Sequence, residues 1–207
     1  KALVVSNKSW ESRAVEETTS ENVNRGPRDS FNENIITNLA LIRRRIRDPK
    51  LRVYQTVVGT RTKTPVFVLY LQDVADPKVF EEILARFSKI EIDGILESGM
   101  LEELIEDNIY SPFPQILYSE RPDKAAAHIL EGKYVILVDA TPFSLIVPAV
   151  FAQFVSSPED YYGRWMMASF IRFLRYASIF GSMFLPGIYV ALTSHHYQLI
   201  PSRLITL

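Results

Sequence analysis

The sequence predicts an α/β fold: a mixed-sheet soluble subdomain with flanking helices, followed by a helix that turns from amphipathic to transmembrane. Three observations carry that prediction. Between residues 30 and 138, runs of helical period alternate with β-rich runs across short connections, the pattern of helices packed on a sheet. Leu51 to Val58 and Val66 to Gln72 flank the polar turn GTRTKTP, which is how a hairpin reads. From Tyr176 through Ser202 there is no Asp, Glu, Lys or Arg, and an uncharged stretch of that length suits lipid better than water.

The elements follow in order. Lys1 to Val5 (KALVV) reads as a strand already under way, so the chain is expected to be cut from something longer. Ser6 to Asn24 is a polar, acidic connector. Ser30-Phe31-Asn32-Glu33 has the form of a capping box, and Phe31, Ile35, Leu39, Ile42 and Ile46 recur behind it at helical spacing. Pro49 stops that helix. After the hairpin, a helix from Pro77 to about Ile90 is expected, with Asp76 as its cap and Pro77 in its first turn. The turn at Asp93-Gly94 leads to a short acidic helix, Met100 to Asp107. Strand Gln115 to Tyr118, helix Asp123 to Leu130 and buried strand Tyr134 to Val138 complete the subdomain.

Several function classes are excluded or weakened by composition. The 207 residues carry 23 basic and 24 acidic side chains, a net charge of −1, so nothing in the bulk charge points to nucleic acid. With no cysteine there are no disulfides, thiol nucleophiles or thiolate metal sites. No GxGxxG, GxxxxGK[ST] or GxSxG occurs, so no enzyme activity and no cofactor are expected. His128 reads as a surface or packed residue. His195 and His196 are adjacent and do not face each other on a helix, so no metal site is expected there. Asp93 with Glu97 reads as a turn before it reads as a catalytic pair.

Four groups remain as candidate sites. Asp139 and Thr141 end the buried strand YVILV, where α/β proteins often bind small molecules; a turn in which the aspartate bonds nearby N–H groups explains the same residues. Arg43, Arg44, Arg45 and Arg47 close the first helix. The helix dipole accommodates them at about 0.3–1 kcal/mol each, and contact with a neighbouring subunit or with anionic lipid is the alternative. Around the last helix, Ser157 reads as an N-cap with Pro158 following. Tyr161, Tyr162, Trp165, Arg172 and Arg175 suit a membrane boundary, and Arg164, Arg172 and Arg175 form a basic stripe. Tyr176 to Leu192, at ~1.5 Å per residue, spans about 26 Å, the short end for a bilayer. Pro186-Gly187 within it is a hinge candidate or a static kink.

A resemblance is carried by ordered segments along the chain: KALVVSNKSW, RGPRDSFNENIITNLALIRRRIRDPKL, IDGILESGMLEELIEDN, SPFPQILYSERPDKAA, LVDATPFSLIVPAVF, SPEDYYGRW and LPGIYVALTSHH. Together they resemble the A subunit of the GerA family of bacterial spore germinant receptors. Ser30 and Ala140 stand where that family more often has glycine, and Thr18 where proline is usual. The resemblance implies a cytoplasmic region of two α/β subdomains followed by a helical membrane domain. Residues 1–27 would then be the terminal strand and linker of a truncated first subdomain, and 28–157 a cytoplasmic α/β subdomain. Residues 158–195 would be an interfacial helix running into the first transmembrane helix, and 196–207 the start of the next membrane segment. It further implies a non-enzymatic receptor subunit in the inner spore membrane, with B and C subunits, other A subunits and membrane lipids as partners, acting in a nutrient-gated ion channel. The alternative from the residues is a soluble ligand-binding α/β module whose last helix docks on a partner.

Overall fold

Helix α1 (Ile35–Arg45) starts later than the Ser30 motif suggests. Asn34 is its N-cap, with Oδ1 accepting from the amides of Ile36 and Thr37 at 2.9 and 3.3 Å. Residues 30–33 are held out of the helix by other bonds. The Phe31 amide donates to Glu120 O at 2.8 Å, the Phe31 ring is buried, and Asn32 bonds through both backbone groups to the buried Asn38 side chain. The expected capping box is therefore replaced by an asparagine cap. The apolar stripe Phe31, Ile35, Leu39, Ile42 and Ile46 is buried as its spacing requires.

The computed structural model describes residues 21, 26–108, 110, 111, 114–157, 160 and 163–195. The expected strand at residues 1–5, most of the connector, Pro158, Tyr161, Tyr162 and residues 196–207 lie outside the described residues.

Strands β1 (Leu51–Val58) and β2 (Thr64–Leu71) form the expected hairpin. Then come α2 (Pro77–Ser88), α3 (Ser98–Ile105), β3 (Leu117–Ser119), α4 (Pro122–Leu130), β4 (Tyr134–Val138), β5 (Ser144–Val147) and the single turn α5 (Phe151–Phe154). Asp76 caps α2 by accepting from Lys78 N, as its position ahead of Pro77 predicts. The sheet order is β1-β2-β4-β5-β3.

The α/β class with flanking helices is found, but the sheet itself departs from the mixed arrangement expected. Every described pair of neighbouring strands is antiparallel. The cause is β5, a strand not anticipated from the sequence. It turns back from β4 and pairs with both β4 and β3, so β3 and β4 run parallel with β5 between them. The β3–α4–β4 crossover thus exists as a split unit.

Both faces of the sheet are covered, which is why its central strands are continuous apolar runs. On one face Phe67, Leu69, Val135, Leu137 and Ile146 pack against α1 and α4. On the other, Val66, Val68, Ile136, Val138 and Leu145 pack against α2 and α3.

The chain divides into two compact units, 1–154 and 155–207. The second holds α6 (Trp165–His195), 31 residues long. A single helix from Ser157 onward was expected. Instead Gly163 and Arg164 are non-helical and α6 begins at Trp165.

Candidate functional site

The strand-end residues Asp139 and Thr141 come out of β4 beside the start of α1. Asp139 Oδ1 accepts from the Ile35 amide at 3.2 Å, adding a carboxylate to the positive end of α1. The Asp139 amide donates to Pro65 O at 3.0 Å, and the Ala140 amide to Glu33 O at 2.8 Å. Thr141 is 1% exposed and its hydroxyl donates to Val138 O at 3.2 Å. Backbone partners thus occupy both polar side chains. Ala140 has φ +66°, a left-handed conformation that costs an L-residue about 1–2 kcal/mol and that glycine adopts freely.

The arginine cluster divides by exposure. Arg45 packs back on the domain: Nη2 sits 2.6 Å from both carboxylate oxygens of Asp29, and Nη1 donates to Leu41 O at 3.1 Å. Arg43, Arg44 and Arg47 are exposed, leaving three cations on the last turn of α1 and just beyond it. β1 starts at Leu51, a few residues beyond that turn.

In the second unit, Asp160 is the organising group. Its side chain is 3% exposed, and Oδ2 accepts from the Ser157 amide at 3.1 Å, the reach-back half of a capping box. The same oxygen lies 3.0 Å from Arg175 Nη1 and 3.7 Å from Arg172 Nε. Arg175 also donates to Val155 O at 2.6 Å. These bonds pin the segment ahead of α6 along its first three turns. The two arginines expected at the membrane boundary are therefore held by an internal carboxylate.

Beyond Arg175, α6 carries no charged residue through His195, and its apolar side chains are exposed: Met183 75%, Tyr189 66%, Leu185 65%. The window that qualifies as a candidate membrane span is wholly unburied. Twenty residues at ~1.5 Å give about 30 Å, the hydrocarbon thickness of a bilayer; the sequence reading, stopping at Leu192, had made it short. The helix stays continuous through Pro186. The carbonyl that Pro186 leaves without its helical N–H is that of Ser182, four residues back, and the Ser182 hydroxyl itself donates to Ile179 O at 2.8 Å. A Cβ at Gly181 or Gly187 would meet no atom within 4 Å.

One feature was not legible in the sequence. A cavity of about 500 Å³ lies between α2, α3 and the chain after β5. Val79, Ile83, Phe87, Ile105, Ile116 and Val147 give it an apolar lining. Arg86 guards its rim, with Nε donating to Glu82 Oε1 at 2.8 Å and its other nitrogens held by Ile105 O and Asp107. The Glu82–Arg86 spacing of four was the available signal. What it could not show is that α3 comes alongside. Among the described residues, no group of three His, Asp or Glu side chains is placed to hold a metal.

An α/β unit followed in sequence by an exposed apolar helix of bilayer length defines a class: a soluble domain carried on a candidate membrane helix. The family model described as Bacillus/Clostridium GerA spore germination protein matches residues 1–207, and the chain belongs to that family. It is 46% identical over 202 residues to spore germination protein B1 of Bacillus subtilis, covering 98% of this chain and 42% of that protein. It is 44% identical over 203 residues to spore germination protein GerLA of Bacillus cereus, covering 98% and 41%. An uncharacterized membrane protein of Bacillus subtilis, YfkQ, is 45% identical over 204 residues, covering 99% and 40%. The chain thus spans about two-fifths of these relatives' length. The solved N-terminal domain of the A subunit of the Bacillus megaterium spore germinant receptor GerK3 is 49% identical, with TM-score 0.48, covering 59% of this chain and 97% of that one.

Proposed function

We propose that the chain is part of a non-enzymatic A-type subunit of a membrane germinant receptor, in which the soluble unit acts in assembly or gating of a nutrient-gated ion channel. The observation that carries this is α6: 31 residues, apolar, exposed along its length, directly following a folded α/β unit in a chain of the GerA family. Partners are B and C subunits, further A subunits and membrane lipid. The membrane is the inner spore membrane, with residues 1 to about 170 on the cytoplasmic side. Arg164, Arg172 and Arg175 ahead of the span, against Arg203 after it, support that orientation. The domain boundaries read from the sequence belong to the same proposal. Spores lacking this subunit should fail to release ions in response to at least one nutrient that triggers wild-type spores; unchanged release to every nutrient would discard it.

The second reading is a small-ligand module whose last helix docks on a partner, and the apolar cavity between α2 and α3 favours it. Detergent separates the two. A module stays monodisperse without detergent as the 207-residue chain, whereas a chain with a membrane span aggregates.

A further inference from the structure

The cavity beside α2 and α3 has about 500 Å³, inside the roughly 300–1,000 Å³ of small-molecule pockets. A packed interior leaves voids little larger than a water molecule, so this hollow is more than a packing defect. It lies wholly within the first compact unit. α2 lines it with Val79, Ile83 and Phe87, and α3 ends beside it at Ile105. The third wall is residues 147–149, the chain that leaves β5 for α5.

The charged and polar groups of the lining are mostly spent on one another. Arg86 donates from Nε to Glu82 Oε1 at 2.8 Å, and from its two other nitrogens to Ile105 O and Asp107. One guanidinium thus offsets two carboxylates, with all three of its nitrogens engaged. Gln115 is closed in the same way: Oε1 takes the Asp107 amide at 2.9 Å, and Nε2 donates to Asn108 O at 2.8 Å. Lys78 and Glu106 are left without a side-chain hydrogen bond or ion pair among the described residues. They are opposite in sign, and Lys78 is exposed to water. A charged ligand entering the apolar interior would lose its hydration with no counter-charge inside to replace it.

We propose that this cavity is a binding site for an uncharged small molecule with an apolar body, held between α2, α3 and residues 147–149. The inference rests on the ligand site of the small-ligand-module reading and does not need that reading's docking helix. An occupant touches both helices and the last stretch of chain before the first unit ends at Phe154. It would fasten three segments that otherwise meet around a hollow.

The test is an NMR titration of the 207-residue chain in detergent, with four probes built on one two-ring body. They are 2-naphthylmethanol, uncharged; 2-naphthylmethylamine, a cation; 2-naphthoate, an anion; and 2-naphthylalanine, a zwitterion. The alcohol should move the amide signals of Val79, Ile83 and Ala149 saturably, which partition into the micelle does not do. The other three should bind about tenfold more weakly or worse, because each must desolvate a charge. No saturable shift at these amides, equal affinity for all four probes, or tighter binding of any charged probe overturns the proposal. Tighter binding of the zwitterion would give the site to Lys78 and Glu106 instead. Two variants sharpen the result. Val79→Trp fills the hollow, and should abolish the shifts at Ile83 and Ala149 while the melting temperature holds. Arg86→Met releases the Glu82 and Asp107 carboxylates, and should turn the preference from the alcohol to the amine. A folded Val79→Trp chain that binds the alcohol as wild type does, or an Arg86→Met chain with unchanged preference, equally overturns it. Behaviour without detergent is read separately: a chain that needs detergent yet binds the alcohol loses the docking-module reading and keeps this site.

Discussion

Asp139 Oδ1 takes the Ile35 amide at 3.2 Å from a position 104 residues away in the chain. Removing that acceptor leaves a helix-start N–H without its partner. Asp139→Ala should therefore lower the stability of the detergent-solubilised chain by about 1 kcal/mol, read as a lower melting temperature; an unchanged curve would contradict the capping role. Its neighbour Ala140, at φ +66°, offers the opposite change. Ala140→Gly relieves the left-handed strain at some cost in unfolded-chain entropy, for a net gain of up to about 1 kcal/mol. Titratable groups also leave a signature. Burial first, then Glu106, Glu97 and Glu103, pushes Glu102 up to about 7 from 4.5. The folded state then holds its proton more tightly than the unfolded one, so this contribution is present below 4.5 and lost as pH rises through about 7. Glu102→Gln should flatten that fall and melt higher than wild type at pH ~8. Burial holds the His128 imidazole below its usual 6.5, against the opposing pull of Glu131. Its contribution runs the other way, present above 6.5 and lost as pH falls below it.

At the level of elements, α6 is where sequence and structure meet most directly. The absence of charge from Tyr176 through Ser202 marked the candidate span, and the helix carries it to His195. The break at Gly163 and Arg164 was hidden, because a capping signal at Ser157 reads the same whether its helix is one turn long or ten. Asp160 gathering Arg172 and Arg175 was equally hidden, since that contact folds one segment back on the next. Pro186 lies within the candidate span, lacking an N–H and crowding the carbonyl four residues back. As a hinge, Pro186→Ala should preserve receptor assembly and shift the rate or nutrient threshold of ion release. Wild-type release kinetics at every nutrient concentration would leave Pro186 a static kink. The hairpin and β4 were legible to the residue or nearly so, because β-branched runs bounded by turn residues need no partner to be recognised. Strand β5, Ser144–Val147, was missed because a short run directly after a turn declares itself a strand only through its pairing with β3 and β4.

For the whole molecule, the distribution of arginines makes a topology prediction. A cysteine at Thr60 should resist an impermeant reagent in intact cells and react once the membrane is opened; labelling in intact cells would reverse the orientation. The sequence by itself determined the α/β class, the order of most elements, the core stripe of α1 and the uncharged span, because each is a local pattern of period or composition. Family membership was legible for the same reason, as ordered segments along one chain. Only the tertiary structure decided the antiparallel sheet, the cavity between α2 and α3, and the split of the arginine cluster into Arg45 bound to Asp29 and three exposed cations. It also decided that Asp139 serves a helix 104 residues upstream. Each of these depends on which distant segments come together, and strand pairing and helix packing settle that through long-range burial rather than through any neighbour in the chain.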